Sequence, residues 1–319
     1  MISAKRFYVS TFALLLLVLG TVSYASAQAP PAIRSPRPSQ AASVTQTIGV
    51  TDITINYSRP GVKGRTIWGD PLPEQTAKGE ATLDDQNVRP KGAPIVPWGH
   101  AWRTGANEAT QFIVTDDVWI NGQKLPAGSY SLHTIPTKTE WTIIFNGVAN
   151  QWGSFNYDAA KDTLRVKVKP EWGTHDKEWL EFWIDPINDT SAQVNLRWEK
   201  VRVPFTVEVK DVKALTLKKA RATVAAAKPD DWRTPLQGAN YVFQNPEGAD
   251  PAEAWRWLEQ SIKIKETFQN MSAKARALAQ QGKTAEAIAA GERALVLGKE
   301  AKANTTAFEK LLADWKAKK

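Results

Sequence analysis

The chain contains no cysteine, which excludes disulfides, thiolate metal sites, thiol catalysis and lipid attachment at a cleavage-site cysteine. Histidine is scarce, with His100, His133 and His175 the only three. They form no His-x-x-x-His or His-Glu-x-x-His pattern, and no carboxylate run of calcium-loop spacing accompanies them. A long-range grouping of His100, Glu108 and His133 is the one metal arrangement left to weigh. Without a supporting motif the reading is no metal and no cofactor. Gly-x-Ser-x-Gly, phosphate-loop and dinucleotide glycine patterns are missing as well. The longest apolar run near the N-terminus, Phe12 to Leu19, falls short of the roughly 20 residues needed to cross a bilayer.

That run follows Lys5 and Arg6 and is followed by Ala25-Ser26-Ala27. A basic start, a short apolar core and small residues at the end predict a secretory signal over residues 1–27, cleaved before Gln28. The expected location is therefore the periplasm or the extracellular space, with no stable transmembrane segment after cleavage. Residues 28–43 are rich in Pro, Ser and Ala with little to bury, and predict a flexible leader.

The about 290 residues that remain exceed what one core usually serves, so two domains are expected. Charge divides the same way. Basic and acidic residues balance between Gln28 and Lys210, so the excess in the +8 net charge lies mainly after Asp211. There the lysines are spread among Ala and Glu at helical spacing, which predicts a solvated helix face and no nucleic-acid partner.

From Val44 to Val209 the pattern is short alternating or β-branched runs between turn residues. Nine candidate strands are Ile53–Tyr57, Phe112–Val114, Val118–Ile120, Tyr130–Leu132, Trp141–Phe145, Leu164–Val168, Trp179–Ile184, Val194–Trp198 and Val201–Val209. With no helix between them, residues 44–210 predict a Trp-rich all-β sandwich, jelly-roll-like or barrel-like. Asn121-Gly122 supplies the two positive-φ positions of a tight hairpin. Pro204 favours an edge or bulged place for the last strand. Arg165 and Lys167 alternate with apolar residues and read as a wet, solubilising face.

Residues 211–319 predict a separate helical domain, making the whole α+β. Asp250-Pro251 is an N-cap followed by Pro at the first helical position, with a plausible earlier helical hairpin around Ala239 to Ser261. Gly282 stops one helix and Thr284 is placed to cap the next, giving a hairpin from Met271–Gln281 and Ala285–Leu297. Small and large residues from Ala275 to Leu295 fall at tetratricopeptide-like positions, although no full repeat period is visible.

Two polar segments stand outside these patterns. One carries Arg59, Lys63 and Arg65 among prolines and glycines. The other, Trp98 to Thr110, carries His100, Trp102, Arg103, Asn107 and Glu108. Together they form the candidate ligand site: Arg and Lys to hold an anion or hydroxyls, Asn107 and Glu108 to orient them, and Trp102 to stack. Trp68, Trp98 and Trp102 are the expected exposed aromatic platform, and the remaining tryptophans are expected mostly in the core. A competing expectation is that Arg59, Arg65 and Arg103 pair with Glu108 and Asp70 to pin irregular connections and never meet a ligand.

Ser58-Arg59-Pro60, Lys63-Gly64-Arg65, Pro97-Trp98-Gly99, Trp102 to Thr110, Leu125 to Leu132 and Glu140 to Asn146 resemble, in order, the exported bacterial family DUF2911. The resemblance covers Ser43 to Val209. It implies a secreted β domain, often followed by helical repeats, and carries no catalytic role. Asp70 to Pro94 is longer and more polar than the family's compact version, which predicts an inserted loop near the site.

The resulting expectation is a non-catalytic binding protein of the periplasm or envelope. A carbohydrate or an anionic small molecule would occupy the β domain, and a protein partner would meet the helical one. The first alternative is a glycan- or peptide-acting hydrolase using Glu108 as general acid or base. The second is a purely structural polar cluster, with function in the helices.

Overall fold

The computed structural model describes residues 35–83 and 89–317. The expected signal over 1–27 and the leader up to residue 34 lie outside the described residues, as do 84–88 within the polar segment after Asp70. Short runs bounded by Gly, Pro and Asn become strands, and the Ala-rich, Lys-rich remainder becomes helices. In chain order the strands are β1 (Gln40–Ile48), β2 (Thr51–Arg59), β3 (Trp68–Gly69), β4 (Val96–Pro97), β5 (Thr110–Val114), β6 (Val118–Ile120), β7 (Gln123–Leu125), β8 (Gly128–Pro136), β9 (Trp141–Asn146), β10 (Asp162–Val168), β11 (Glu171–Asn188) and β12 (Ser191–Glu208).

A six-stranded sheet has the order β1-β2-β5-β8-β9-β10, and a four-stranded sheet has the order β11-β12-β6-β7. Both are antiparallel throughout. Neither closes on itself, since β1 and β10 edge the first and β11 and β7 the second; the barrel alternative is therefore corrected to open sheets. Alternation sends Ile53, Ile55, Phe112, Leu132, Trp141, Phe145 and Val166 from one sheet, and Val194, Leu196, Trp198, Val203 and Phe205 from the other, into one common core.

β1 begins at Gln40, four residues before the expected start of the β region. Its polar sequence hides it, because its side chains are mostly exposed and its stability comes from pairing Gln40 with Arg59 through Ile48 with Thr51. The two strands expected at 194–198 and 201–209 are one, β12, with Glu199 at a φ of 52° marking the irregularity between them. β12 lies inside its sheet and not at its edge, yet the stretch that holds Pro204 has the edge character expected of it. The proline is tolerated locally because pairing with β11 stops at Arg202 and pairing with β6 starts at Val207, so no ladder donor is required of it.

The Asn121-Gly122 hairpin forms as its sequence predicts, with φ of 45° and 82° and Ile120 paired to Gln123. Asn121 Oδ1 also accepts bonds from Thr206 N at 2.7 Å and Thr206 Oγ1 at 3.0 Å. Asn121→Ala is expected to cost about 2 kcal/mol in urea unfolding, combining left-handed strain with two lost bonds. Asn121→Gly, which removes only the bonds, should fall between the two.

β3 and β4 form a two-residue parallel pair, Trp68 with Val96 and Gly69 with Pro97. They clamp the two ends of the long polar segment.

The helices are α1 (Val212–Ala225), α2 (Arg233–Gln244), α3 (Pro251–Ile264), α4 (Phe268–Gln280), α5 (Thr284–Glu300) and α6 (Thr306–Ala317). The Asp250 carboxylate accepts from Ala252 N with Pro251 at the first position, and Gly282 ends α4's turn at a φ of 75°. Thr284 does not cap α5. Lys283 takes that place because Gly282 N and Lys283 N already close the turn onto Ala279 and Leu278. A side-chain Cβ at Gly291 would stand 2.7 Å from Leu312 Cδ1, so α5 and α6 approach closely there and a larger residue would displace the Leu312 side chain. No described helix is long and apolar enough to cross a membrane. α1 joins the helices to the β core through Val212 and Leu215, and its Lys219 pairs with Asp116 at 2.6 Å.

Candidate functional site

The expected site residues separate into two sets with different anchors. Arg59, Lys63 and Arg65 leave the end of β2 and attach to β11 and to their own turn. Arg59 Nε donates to Leu180 O at 2.8 Å and its Nη2 lies 3.5 Å from Glu181. Lys63 N donates to Glu178 Oε1 at 3.0 Å, and its ammonium stands 5.5 Å from the Trp179 ring. Arg65 reaches Gly61 O at 2.5 Å and Val62 O at 3.2 Å. Guanidinium forks that meet backbone carbonyls replace the ladder bonds that an irregular turn lacks.

The second set organises the connection from Trp98 to Thr110 against residues 150–155. Arg103 is only 5% exposed. Its Nη1 donates to Asn107 O at 2.7 Å, and its guanidinium carbon lies 5.4 Å from the Phe155 ring. Gly153 lets the chain cross there, since a Cβ would sit 3.2 Å from that guanidinium. Asn107, at a φ of 59°, donates to Ser39 O at 3.1 Å and receives Gly153 N at 3.0 Å. Glu108 is exposed and bridges to Trp152 through the backbone. His100 Nδ1 meets Ala81 O at 2.9 Å. Trp102 is corrected from platform to core: it is 5% exposed and stacks on Trp198 at 5.8 Å and 17°.

Residues 80–82, the described middle of the long polar segment, rest on this same region. Ala101 N bonds to Glu80 O, and Thr82 Oγ1 bonds to Ser154 Oγ. Glu80 reaches Arg165 at 2.8 Å. Arg165 is thereby corrected from a solubilising charge to the hub of a network: its Nε donates to Asp162 Oδ2 at 2.7 Å and its Nη2 to Tyr157 Oη at 2.8 Å. Tyr157 in turn donates to Asp162 at 2.7 Å. Burial, and then this bond to the carboxylate, push the Tyr157 phenol well above its usual range.

His133 lies beside this network, fully buried on β8, with its ring 4.9 Å from that of Tyr157. Neither ring nitrogen has a hydrogen-bond partner; the carbonyls of Ser131 and Gly153 are near but without bonding geometry. Burial lowers its pKa from 6.5 to about 4, opposed by Asp162 and by the nearby Ser131 and Gly153 backbone, and reinforced by Arg103. The ring is therefore neutral. In sequence it stands only in a long-range grouping with His100 and Glu108, with nothing to mark its burial. Among the described residues no group of three or more His, Asp or Glu comes together to hold a metal ion.

A column of tryptophans runs from the core to the surface. Trp68 touches Trp141 at 5.1 Å, Trp198 at 5.6 Å and Trp102 at 5.7 Å, and stacks on Trp98 at 5.9 Å and 13°. Trp98 meets Trp172 edge-on at 6.1 Å and 79°. Trp172 is 46% exposed, with its Nε1 donating to Lys138 O at 2.9 Å. Trp68, Trp98 and Trp172 line a cleft of about 500 Å³ whose rim carries Asp70, Lys138, Glu199 and Lys200. Two of these three tryptophans were expected in a platform. Trp172 was missed because it lies between the runs read as strands at 164–168 and 179–184, and its place follows only from the pairing of β11 with β12.

The clamp, the buried Arg103 turn and the strand motifs all lie between β1 and β12. A family model described as a protein of unknown function, DUF2911, matches residues 39–207, more than half of the chain. The chain belongs to the DUF2911 family. No curated protein and no solved structure matches it. The match covers β1 through most of β12 and leaves α1–α6 outside. Within this DUF2911 protein both polar sets and the whole tryptophan cleft therefore belong to the family region.

Proposed function

We propose that this DUF2911 protein is an exported, non-catalytic binding protein of the periplasm or cell envelope, and that its ligand sits in the Trp68–Trp98–Trp172 cleft. The single observation that carries this reading is that cleft: an open, aromatic-lined space of about 500 Å³ with charged groups beside the indoles, within the size range of small-molecule sites. The three guanidinium groups, by contrast, direct hydrogen bonds to the protein's own carbonyls. In this reading the two sheets are the layers of a sandwich and the guanidinium networks hold its connections. The helices, as tetratricopeptide-like hairpins, are the part available to a protein partner.

The test is a binding panel of saccharides, peptides, phosphorylated metabolites and divalent metals against wild type and Trp172→Ala. Trp172 is half exposed, so its removal should leave the melting temperature within a few degrees while weakening the ligand by about tenfold or more. The ligand should be recovered chemically unchanged. A ligand whose affinity ignores Trp172, or one that is turned over, overturns the proposal.

A further inference from the structure

We infer that the ligand of this cleft is an uncharged saccharide, with one sugar ring lying on the Trp172 indole; the inference rests on the binding reading above. Three observations carry it. First, the rim is charged but balanced: Lys138 and Lys200 stand against Asp70 and Glu199. An anion would meet two carboxylates and a cation two ammonium groups. A neutral molecule rich in hydroxyls can donate to the carboxylates and accept from the lysines without leaving either sign uncompensated.

Second, the indole surfaces are oriented in advance. Trp98 is backed by Trp68 at an interplanar angle of 13°, and Trp172 is held by its Nε1 bond to Lys138 O. Such fixed faces lose little freedom on binding. The C–H face of a pyranose is the flat, weakly apolar partner that an indole face accepts, while its hydroxyls project sideways towards a polar rim.

Third, the lysine at the rim is itself positioned. Lys200 Nζ lies 3.8 Å from Asp176. Asp176 belongs to the stretch where β11 gains residues relative to β12, between Trp172 and Lys177. Asp176 lies outside the cleft lining and faces Lys200 from there, so it adds no third carboxylate to the rim.

The experiment uses the purified full chain and Trp172→Ala, Trp172→Phe and Lys138→Met variants, with saturation-transfer NMR followed by calorimetry. The probes are cellotetraose, maltotetraose and chitotetraose as neutral sugars, glucose 6-phosphate and inorganic phosphate as anions, and choline as a cation. At least one neutral tetrasaccharide is expected to bind, to lose about tenfold or more in Trp172→Ala and to recover partly in Trp172→Phe. Its affinity should change less than about twofold between about 50 and about 500 mM NaCl, because no net charge is neutralised. Trp172-dependent binding of the phosphates or choline alone, with strong salt dependence, overturns the saccharide assignment and leaves the binding reading in place. No Trp172-dependent binding by any probe overturns both.

Discussion

Replacing His133 by phenylalanine is expected to stabilise the protein, and by more as the pH falls. The ring is buried with both nitrogens unpartnered, an arrangement in which each lost hydrogen bond costs about 1–3 kcal/mol. Phenylalanine keeps the aromatic contact with Tyr157 and removes the polar atoms. The pH dependence follows from the folded imidazole titrating at about 4 instead of 6.5. Between those values the unfolded chain takes up a proton that the folded chain refuses, so wild-type stability falls as pH drops through this window and levels off below it. At about pH 5 the deficit is about 2 kcal/mol, whereas at about pH 7.5 it is close to zero. Urea unfolding of both proteins at these two pH values checks the prediction. Overpacking by the larger ring shifts both measurements equally. A wild-type-to-variant difference that is the same at both pH values therefore rules out a buried, uncharged His133.

Arg103→Ala has the largest expected loss, about 3 kcal/mol, from a buried guanidinium removed beneath the 150–155 connection. Asn107 O loses its 2.7 Å donor, Phe155 loses the cation on its ring, and the space beside Gly153 empties. Chemical denaturation should report the loss, and the folded fraction should still bind at the tryptophan cleft, which Arg103 does not line. Unchanged stability overturns the structural role assigned to this turn. Lost binding in a fully folded variant overturns the placement of the site.

The α+β class was legible because the two regions obey different periods. Trp141-Thr142-Ile143-Ile144-Phe145 and its neighbours read as strands, and the caps at Asp250 and Gly282 punctuate helices, so most elements followed from local pattern. What escaped depended on pairing. β1 is polar and becomes a strand only through β2, and Pro204 sits inside a sheet because its two neighbours pair with different stretches of β12. The candidate site was half legible for the same reason. Arg103 and Asn107 stood out by composition, but whether a guanidinium faces a ligand or a carbonyl is a three-dimensional fact. Trp102 and Trp172 exchanged their expected roles: Trp102 lies in a connection bridged to Thr134 and stacks on Trp198, and Trp172 is set by the register of β11. Arg165 looked like a surface charge by alternation; its bonds to Asp162 and Tyr157 are local, and only the Glu80 contact comes from far away in the chain.

The parallel pairing of Trp68 with Val96 and Gly69 with Pro97 has a consequence for how such a chain can vary. A segment whose ends are fixed side by side can grow at a loop-closure cost of only about 0.6 kcal/mol per doubling of length. Length changes between Asp70 and Ile95 therefore cost little in loop closure, provided they spare Glu80, Ala81 and Thr82, which bond to Arg165, His100 and Ser154. The clamp separates two kinds of change: the tryptophans at its ends stay in position, while the length between them can vary on either side of that docked turn.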